Sequence, residues 1–348
     1  MENKQNMKIL IIKLGALGDV LRTTFVARGL KEKYPSCSLT WLTKKSAVDI
    51  LLNNSSIDTI IAWGNHTPLL FQEFDLVISL DDEQEVCAFA AQLKTKRLQG
   101  AYCTADGTRT YTKDVDAWFG MGLLRSEEKG GKTKADELKK LNRKTFQEIY
   151  AEMFDITGCN TQPILTLTLD ELQYGQQILA QYAIHSQEKI VGINTGAASR
   201  WLLKSMSIEK TAEICNELAK SAKVLILGGF DEVERNQKIK SLCPSNNVIV
   251  ISPTHSIREF ASILHVCDLV ITADTLALHL ALALGKQTLA FFGPTSPWEI
   301  EMFGLGEKIY KESSCLCCYK QTTEEKPSCI DRIMPEDIIY SAKKILVK

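Results

Sequence analysis

KILIIKLGALGDVLRTTFVARGL, residues 8–30, reads as a strand, a glycine turn and a helix in one unbroken stretch. Its first six residues form an isoleucine-rich run, the pattern of a strand buried on both faces of a parallel sheet. Gly15 and Gly18 punctuate a turn, and Asp19 opens a pattern that predicts a helix to about Lys33. Backbone N–H groups at such a helix start face the carboxyl edge of the sheet, where open α/β folds take ligands. The spacing is G-x-x-G-D and not the G-x-G-x-x-G of dinucleotide binders, so an NAD-linked oxidoreductase is disfavoured. Asp19 has a plain reading, an acid complementing a helix dipole, and a sharper one, a carboxylate at the mouth of a ligand site.

The same rhythm recurs on either side of a break. In the first half, strands are predicted at 38–43, 58–63 and 75–80, and in the second at 189–195, 223–229, 247–252, 268–273 and 287–293. The fold class is therefore α/β, with two doubly wound halves of similar size. From Arg109 to Leu165 the pattern turns polar, with a helical segment at about Thr145 to Phe154. About 105–165 reads as a variable insert and link. The expected division is a first domain over 1–165, a second over 166–330, and a proline-started helix in the closing segment 331–348.

At 348 residues, with 45% apolar and 24% charged residues, the chain has the size and composition of a two-domain globular protein. A net charge of -1 builds in no global attraction to nucleic acid or to an anionic membrane, so any such contact must be local. No signal-peptide pattern and no apolar run of spanning length is seen, and the expected location is cytoplasmic. Eleven cysteines then read as reduced thiols.

Four loops of the second half end successive strands on one sheet edge. NTGAASRWLLKS (194–205) offers Thr195, Gly196, Ser199, Arg200 and Lys204. LGGFDEVER (227–235) offers Glu232, with Glu234 as a competitor, and GPTSPW (293–298) closes the set. After DLVITA come Asp274, Thr275, Leu276, Ala277, Leu278 and His279 at a helix start. Cations and a helix N-terminus answer a diphosphate, and a carboxylate beside a glycine turn accepts ribose hydroxyls.

These stretches together resemble glycosyltransferase family 9, the ADP-heptose lipopolysaccharide heptosyltransferases and their relatives, over most of the chain outside about 105–165. The resemblance implies the GT-B architecture: two Rossmann-like domains facing across a cleft, acceptor mostly on the first, nucleotide sugar mostly on the second, and the final helix packed back on the first domain. By motif, Asp19 resembles the general base and Lys204 the lysine on the donor phosphates. Glu232 resembles the ribose-binding acid, and Asp274 to His279 the diphosphate-binding helix start. Gly15, Gly18, Thr195, Gly196, Ser199, Arg200, Thr275, Leu276 and Ala277 complete the donor set. Where the family usually reads D-T-G or D-S-G, this sequence has Leu276, and the lysine loop lacks the usual W-P.

The implied reaction is inverting sugar transfer without a divalent metal or other cofactor, from a nucleotide sugar, ADP-heptose first, to a glycan or lipid-linked acceptor. An inactive or ligand-binding relative, or another donor or acceptor, stays open. KGGKTKADELKKLNRK (129–144) carries seven basic and two acidic residues. It reads as a solvated helix face or, given the resemblance, as a contact for a phosphorylated or lipid-linked acceptor at the inner membrane surface. Cys315, Cys317, Cys318 and Cys329 form a separate cluster with partly metal-like spacing. Cysteine-bound iron in the related autotransporter heptosyltransferases raises structural zinc or iron there as an alternative to a plain thiol loop.

Overall fold

The isoleucine- and valine-rich runs are strands, and most of their side chains are shut off from solvent. The computed structural model describes residues 7–197, 201–314 and 316–347. In the first unit, Met1–Leu165, the strands are β1 (Lys8–Ile12), β2 (Ser38–Thr43), β3 (Thr59–Ala62), β4 (Glu73–Phe74), β5 (Leu76–Ser79), β6 (Lys94–Thr95), β7 (Leu98–Cys103) and β8 (Arg109–Tyr111). Its helices are α1 (Leu17–Lys33), α2 (Val48–Leu51), α3 (Gln84–Gln92), α4 (Asp116–Phe119), α5 (Gly131–Leu141) and α6 (Phe146–Met153).

In the second unit, Thr166–Lys348, the strands are β9 (Ile190–Asn194), β10 (Lys223–Leu227), β11 (Val248–Val250), β12 (Leu269–Ala273), β13 (Gln287–Phe291) and β14 (Gly306–Ile309). The helices are α7 (Leu169–Gln181), α8 (Ile208–Leu218), α9 (Val233–Ser241), α10 (Ile257–His265), α11 (Leu276–Ala283) and α12 (Pro335–Leu346).

Each unit carries a six-stranded sheet, ordered β3-β2-β1-β5-β7-β8 in the first and β11-β10-β9-β12-β13-β14 in the second. Neighbours pair in parallel except β7 and β8. Both sheets therefore share the doubly wound order, in which the chain reverses direction across the sheet between β1 and β5, and again between β9 and β12. Loops leaving those strand ends diverge to opposite faces and leave a crevice at the carboxyl edge. Every residue from Ile9 to Ile12 is fully buried, as is Trp41 on the neighbouring strand.

The stretch read as a variable insert and link carries β8, α4, α5 and α6, the last within the helical segment predicted at about 145–154, and aromatic side chains tie much of it down. Trp118 meets Phe146 edge-on at 5.1 Å, Phe146 meets Tyr150 at 3.9 Å, and Tyr150 stacks on Phe154 at 5.6 Å. The final helix, expected on the first domain, instead closes the core of the second unit. Ile338, Ala342 and Ile345 recur at helical spacing and enter one apolar cluster with Val224, Leu269 and Leu289. An amphipathic stripe tells that a face is buried, not against which sheet. No helix among the described residues is long and apolar enough to cross a membrane.

Candidate functional site

At the switch point of the first unit, α1 begins one turn after β1. Gly18 lies in its first turn, and a Cβ at Gly15 would stand 3.6 Å from the Lys44 ammonium. Asp19 accepts a 3.3 Å hydrogen bond from the Ala16 N–H and pairs with Arg22 Nη2 at 2.8 Å. The Arg22 guanidinium lies 4.0 Å from the Phe146 ring centroid and 5.5 Å from that of Trp118. A cation stacked on aromatic faces and hydrogen-bonded to a carboxylate has little rotational freedom, so Asp19 is held at the sheet edge.

Across the same crevice, at the end of β5, Asp81 is buried against Lys13 and also accepts from the Leu14 N–H. Burial pushes its carboxyl above the usual range, against the opposing pull of Lys13. This pair anchors the turn that carries Gly15. Sequence reading missed Arg22, Lys13 and Asp81. The usable signal was Asp81-Asp82 directly after a buried strand, at the edge that bears Asp19.

The second unit repeats the arrangement with different chemistry. Asn194, the last residue of β9, donates to the Gly196 carbonyl at 2.9 Å and to the Thr272 and Thr275 hydroxyls at 3.3 Å each. It ties the β9 loop to the β12 loop. Thr275 is the N-cap of α11, Leu276 begins the helix half-buried, and Ala277 is buried. The Leu278 N–H donates to the Thr275 carbonyl at 3.1 Å, while the Leu276 and Ala277 N–H groups precede the first intrahelical bond and carry the positive end of the dipole.

Lys204 delivers a full charge to that point. Its ammonium donates to the Asp274 carbonyl at 2.6 Å and to Asp274 Oδ2 at 3.1 Å. Both side chains are largely covered, at 14% and 16% exposed. His279, on the next turn of α11, places Nε2 3.7 Å from Asp274 Oδ1. Trp201 lies under the lysine, its ring centroid 5.1 Å from Nζ.

Glu232 is buried between glycines. Its Oε2 accepts from the Gly229 N–H at 2.8 Å, and a Cβ at Gly196 would lie 2.7–2.8 Å from its carboxylate oxygens. No side chain larger than glycine fits at 196 while the carboxylate stays where it is. Thr195 fixes the loop from below, its hydroxyl donating to Asn236 Oδ1 at 2.5 Å. A cavity of about 260 Å3 opens beside Glu232, lined by Gly228, Gly229, Val233, Asn236, Val250 and Pro253 among others. Glu234 points away, exposed and paired with Lys238 at 2.7 Å. Thr195, Gly196, Lys204, Glu232, Asp274, Thr275, Leu276, Ala277 and His279 thus gather along the β9, β10 and β12 strand ends, whereas Gly15, Gly18 and Asp19 belong to the first unit. Ser199 and Arg200 lie outside the described residues.

The cysteine segment lies nearer this site than the sequence suggests. A Cβ at Gly293 would lie 2.8 Å from the Leu203 carbonyl and 3.2 Å from Cys329 Sγ, so Cys329 backs the loop that carries Lys204. Tyr319 donates to Glu299 at 2.6 Å and, through its N–H, to the Pro294 carbonyl at 2.8 Å. Burial, with Glu299 beside it, drives the Tyr319 phenol well above its ordinary value. Cys317 and Cys329 are buried and Cys318 half-buried, while Cys315 lies outside the described residues. Among the described residues no three His, Cys, Asp or Glu side chains converge as a metal site.

Residues 123–329 match the model of glycosyltransferase family 9 (heptosyltransferase). The chain belongs to glycosyltransferase family 9. The match includes the whole second-unit set and begins inside the stretch read as an insert, which the sequence reading had left outside the resemblance. The glycine turn with Asp19 precedes it.

Lipooligosaccharide heptosyltransferase 2 of Campylobacter jejuni subsp. jejuni serotype O:2 is 29% identical over 176 residues, which are 47% of this chain and 53% of that protein. The chain thus spans about half the length of that relative. A solved family 9 glycosyltransferase from Veillonella parvula DSM 2008 has a TM-score of 0.78 at 18% identity, covering 98% of this chain and 97% of that one. The ADP-heptose lps heptosyltransferase II of E. coli has a TM-score of 0.71 at 16% identity, covering 98% and 99%. At those identities the likeness is one of fold, and this family 9 chain has the α/β, GT-B class of its structural neighbours.

Proposed function

We propose that this chain is an inverting heptosyltransferase, independent of divalent metal, that moves a heptose from ADP-heptose to a lipopolysaccharide-core or related glycan acceptor. The observation that carries the proposal is the second-unit switch point. There a lysine is held by Asp274 at a helix start, and a loop of the same sheet edge carries a buried carboxylate cradled by glycines. These are complementary to the diphosphate and the ribose of one nucleotide. Family membership supplies the heptose, and the named E. coli relative supplies the adenosine diphosphate.

In the proposed step, Asp19 takes the proton of the acceptor hydroxyl as its oxygen bonds to the anomeric carbon. The bond from that carbon to the phosphate oxygen breaks, and its electron pair leaves with the nucleoside diphosphate. Lys204 and the α11 dipole stabilise the charge that develops on the leaving group. No step is drawn through the cysteine loop.

Leu276 favours a second reading, a relative that binds nucleotide sugars without transferring them. A side chain replaces the usual glycine at the helix start and narrows the approach of a phosphate. Incubating the purified protein with ADP-heptose, other sugar nucleotides and glycan acceptors, followed by mass spectrometry, separates the two. Glycosylated acceptor and ADP are expected. Tight ADP binding with no product from any donor would select the second reading.

A further inference from the structure

Strand β9 ends at Asn194 and α8 begins at Ile208, and the loop between them carries Lys204. A cation on a loop is only as well placed as the ends of that loop. Both ends are held by adjacent residues of α9. On the incoming side, the Thr195 hydroxyl donates to Asn236 Oδ1 at 2.5 Å. On the outgoing side, Arg235 Nη2 donates to the Met206 carbonyl. The ends also meet each other, where Ser205 Oγ donates to the Thr195 carbonyl at 3.4 Å. Glu232 stands one turn earlier on the same helical face, since 232, 235 and 236 are spaced at i, i+3 and i+4. The start of α9 therefore carries the buried carboxylate and both fastenings of the lysine loop.

Arg235 is not placed for surface charge. Burial pulls its guanidinium below the ordinary value, and Glu232 and Glu209 oppose this only in part. Its Nε is buried with no hydrogen-bond partner among the described residues. A guanidinium is desolvated in this way where another contact compensates, and the contact present is the one with the Met206 carbonyl, two residues beyond Lys204.

We infer that Arg235 is a positioning residue of the donor site, holding the Met206 carbonyl so that the Lys204 ammonium stands at the start of α11. Asn236 fixes the other end of the same loop. Arg235 acts through Lys204 and not on the nucleotide itself. The inference rests on the proposed nucleotide site, and its consequence is that the phosphates, not the nucleoside, feel the loss of Arg235.

The test is calorimetric titration of the full chain with ADP and with adenosine, together with hydrogen exchange on the nucleotide-free protein. Arg235→Gln should weaken ADP about tenfold, part of what a charged hydrogen bond to phosphate contributes. Adenosine affinity should stay within about twofold. With Lys204→Ala already in place, adding Arg235→Gln should weaken ADP by no more than about twofold, because its effect passes through that ammonium. Arg235→Lys should fall between the unaltered protein and Arg235→Gln, and it carries the test if the glutamine variant does not fold. The Lys204 and Ser205 amides donate to the Trp201 and Leu202 carbonyls at 2.9 and 3.1 Å. They should lose protection in the Arg235 variants while the β10 amides keep theirs. A full tenfold loss of ADP affinity in the Lys204→Ala background, an equal loss for adenosine, or unchanged exchange at 204 and 205 would each overturn the inference. Unaltered protein that binds no ADP would overturn the proposed function instead, and exchange at 204 and 205 would still decide the role of Arg235.

Discussion

Arg22 holds Asp19 across one turn of α1, its Nη2 2.8 Å from Oδ1, and only 12% of the arginine side chain is exposed. The Phe146 and Trp118 rings confine the guanidinium. If Asp19 is the base, Asp19→Asn should cut kcat by about 10²- to 10⁴-fold and leave ADP affinity unchanged. Arg22→Gln acts only through the position of the carboxylate, so kcat should fall about tenfold, with Arg22→Lys intermediate. Steady-state kinetics with calorimetric ADP binding checks both. A parallel loss of ADP affinity would move these residues out of the acceptor step.

Gly196 and Glu232 form a second coupled pair. Because the carboxylate occupies the space a Cβ would need, Gly196→Ala should displace Glu232. A charged hydrogen bond to the ribose, lost with the carboxylate, corresponds to about 10- to 100-fold in affinity. Gly196→Ala and Glu232→Gln should therefore weaken ADP similarly, and neither should discriminate ADP from 2′,3′-dideoxy-ADP as the unaltered protein does. Calorimetric ADP titration of the unaltered protein, the two single variants and the double variant measures the coupling.

How far the sequence could be read follows from where each signal is local. Strands such as KILII and LVITA announce themselves by apolar runs, and the α11 site by a helix start after a strand. β7 and β14 pass unnoticed because Gly100 interrupts the first and Gly306 opens the second. Both glycines have positive φ, and a Cβ at either would collide with the carbonyl oxygen of Ser79 or Thr288 on the adjacent strand. The Arg22 clamp was illegible because nothing local to Trp118 or to Phe146, although the latter lies in a segment read as helical, names a side chain of α1 as its partner, and α12 was misplaced because its stripe does not name its partner either. The choice of Glu232 over Glu234 needed three-dimensional information about Gly196 and Lys238.

Lys204 should be the residue whose loss most affects the departure of the leaving group. Removing its ammonium takes away the cation and its two contacts with Asp274 at once. Lys204→Ala is expected to lower kcat/KM for the donor by about 10²- to 10³-fold. Lys204→Arg should recover part of it, because the wider guanidinium keeps the charge but cannot reproduce both contacts with Asp274. Donor-concentration series at saturating acceptor would show the loss. An effect confined to acceptor KM would contradict the assignment.

Stability of the second unit should depend on pH through Glu171 and Arg258. Arg258 is 5% exposed, and Glu171 Oε2 accepts from its Nη2 at 2.7 Å. That hydrogen bond holds the Glu171 carboxyl at about 2, against 4.5 for an ordinary glutamate. A folded-state value below the unfolded one means the pair stabilises the fold fully above about pH 4.5 and loses that contribution as pH falls toward 2. Glu171→Gln keeps an acceptor but leaves a buried cation without its counter-charge, and should cost about 2 kcal/mol at pH 7. Between pH 4.5 and 2 the gap between variant and unaltered protein should narrow. Urea unfolding at a series of pH values, followed by circular dichroism, measures it. A gap constant across that range would show that the carboxylate's charge is not what holds Arg258.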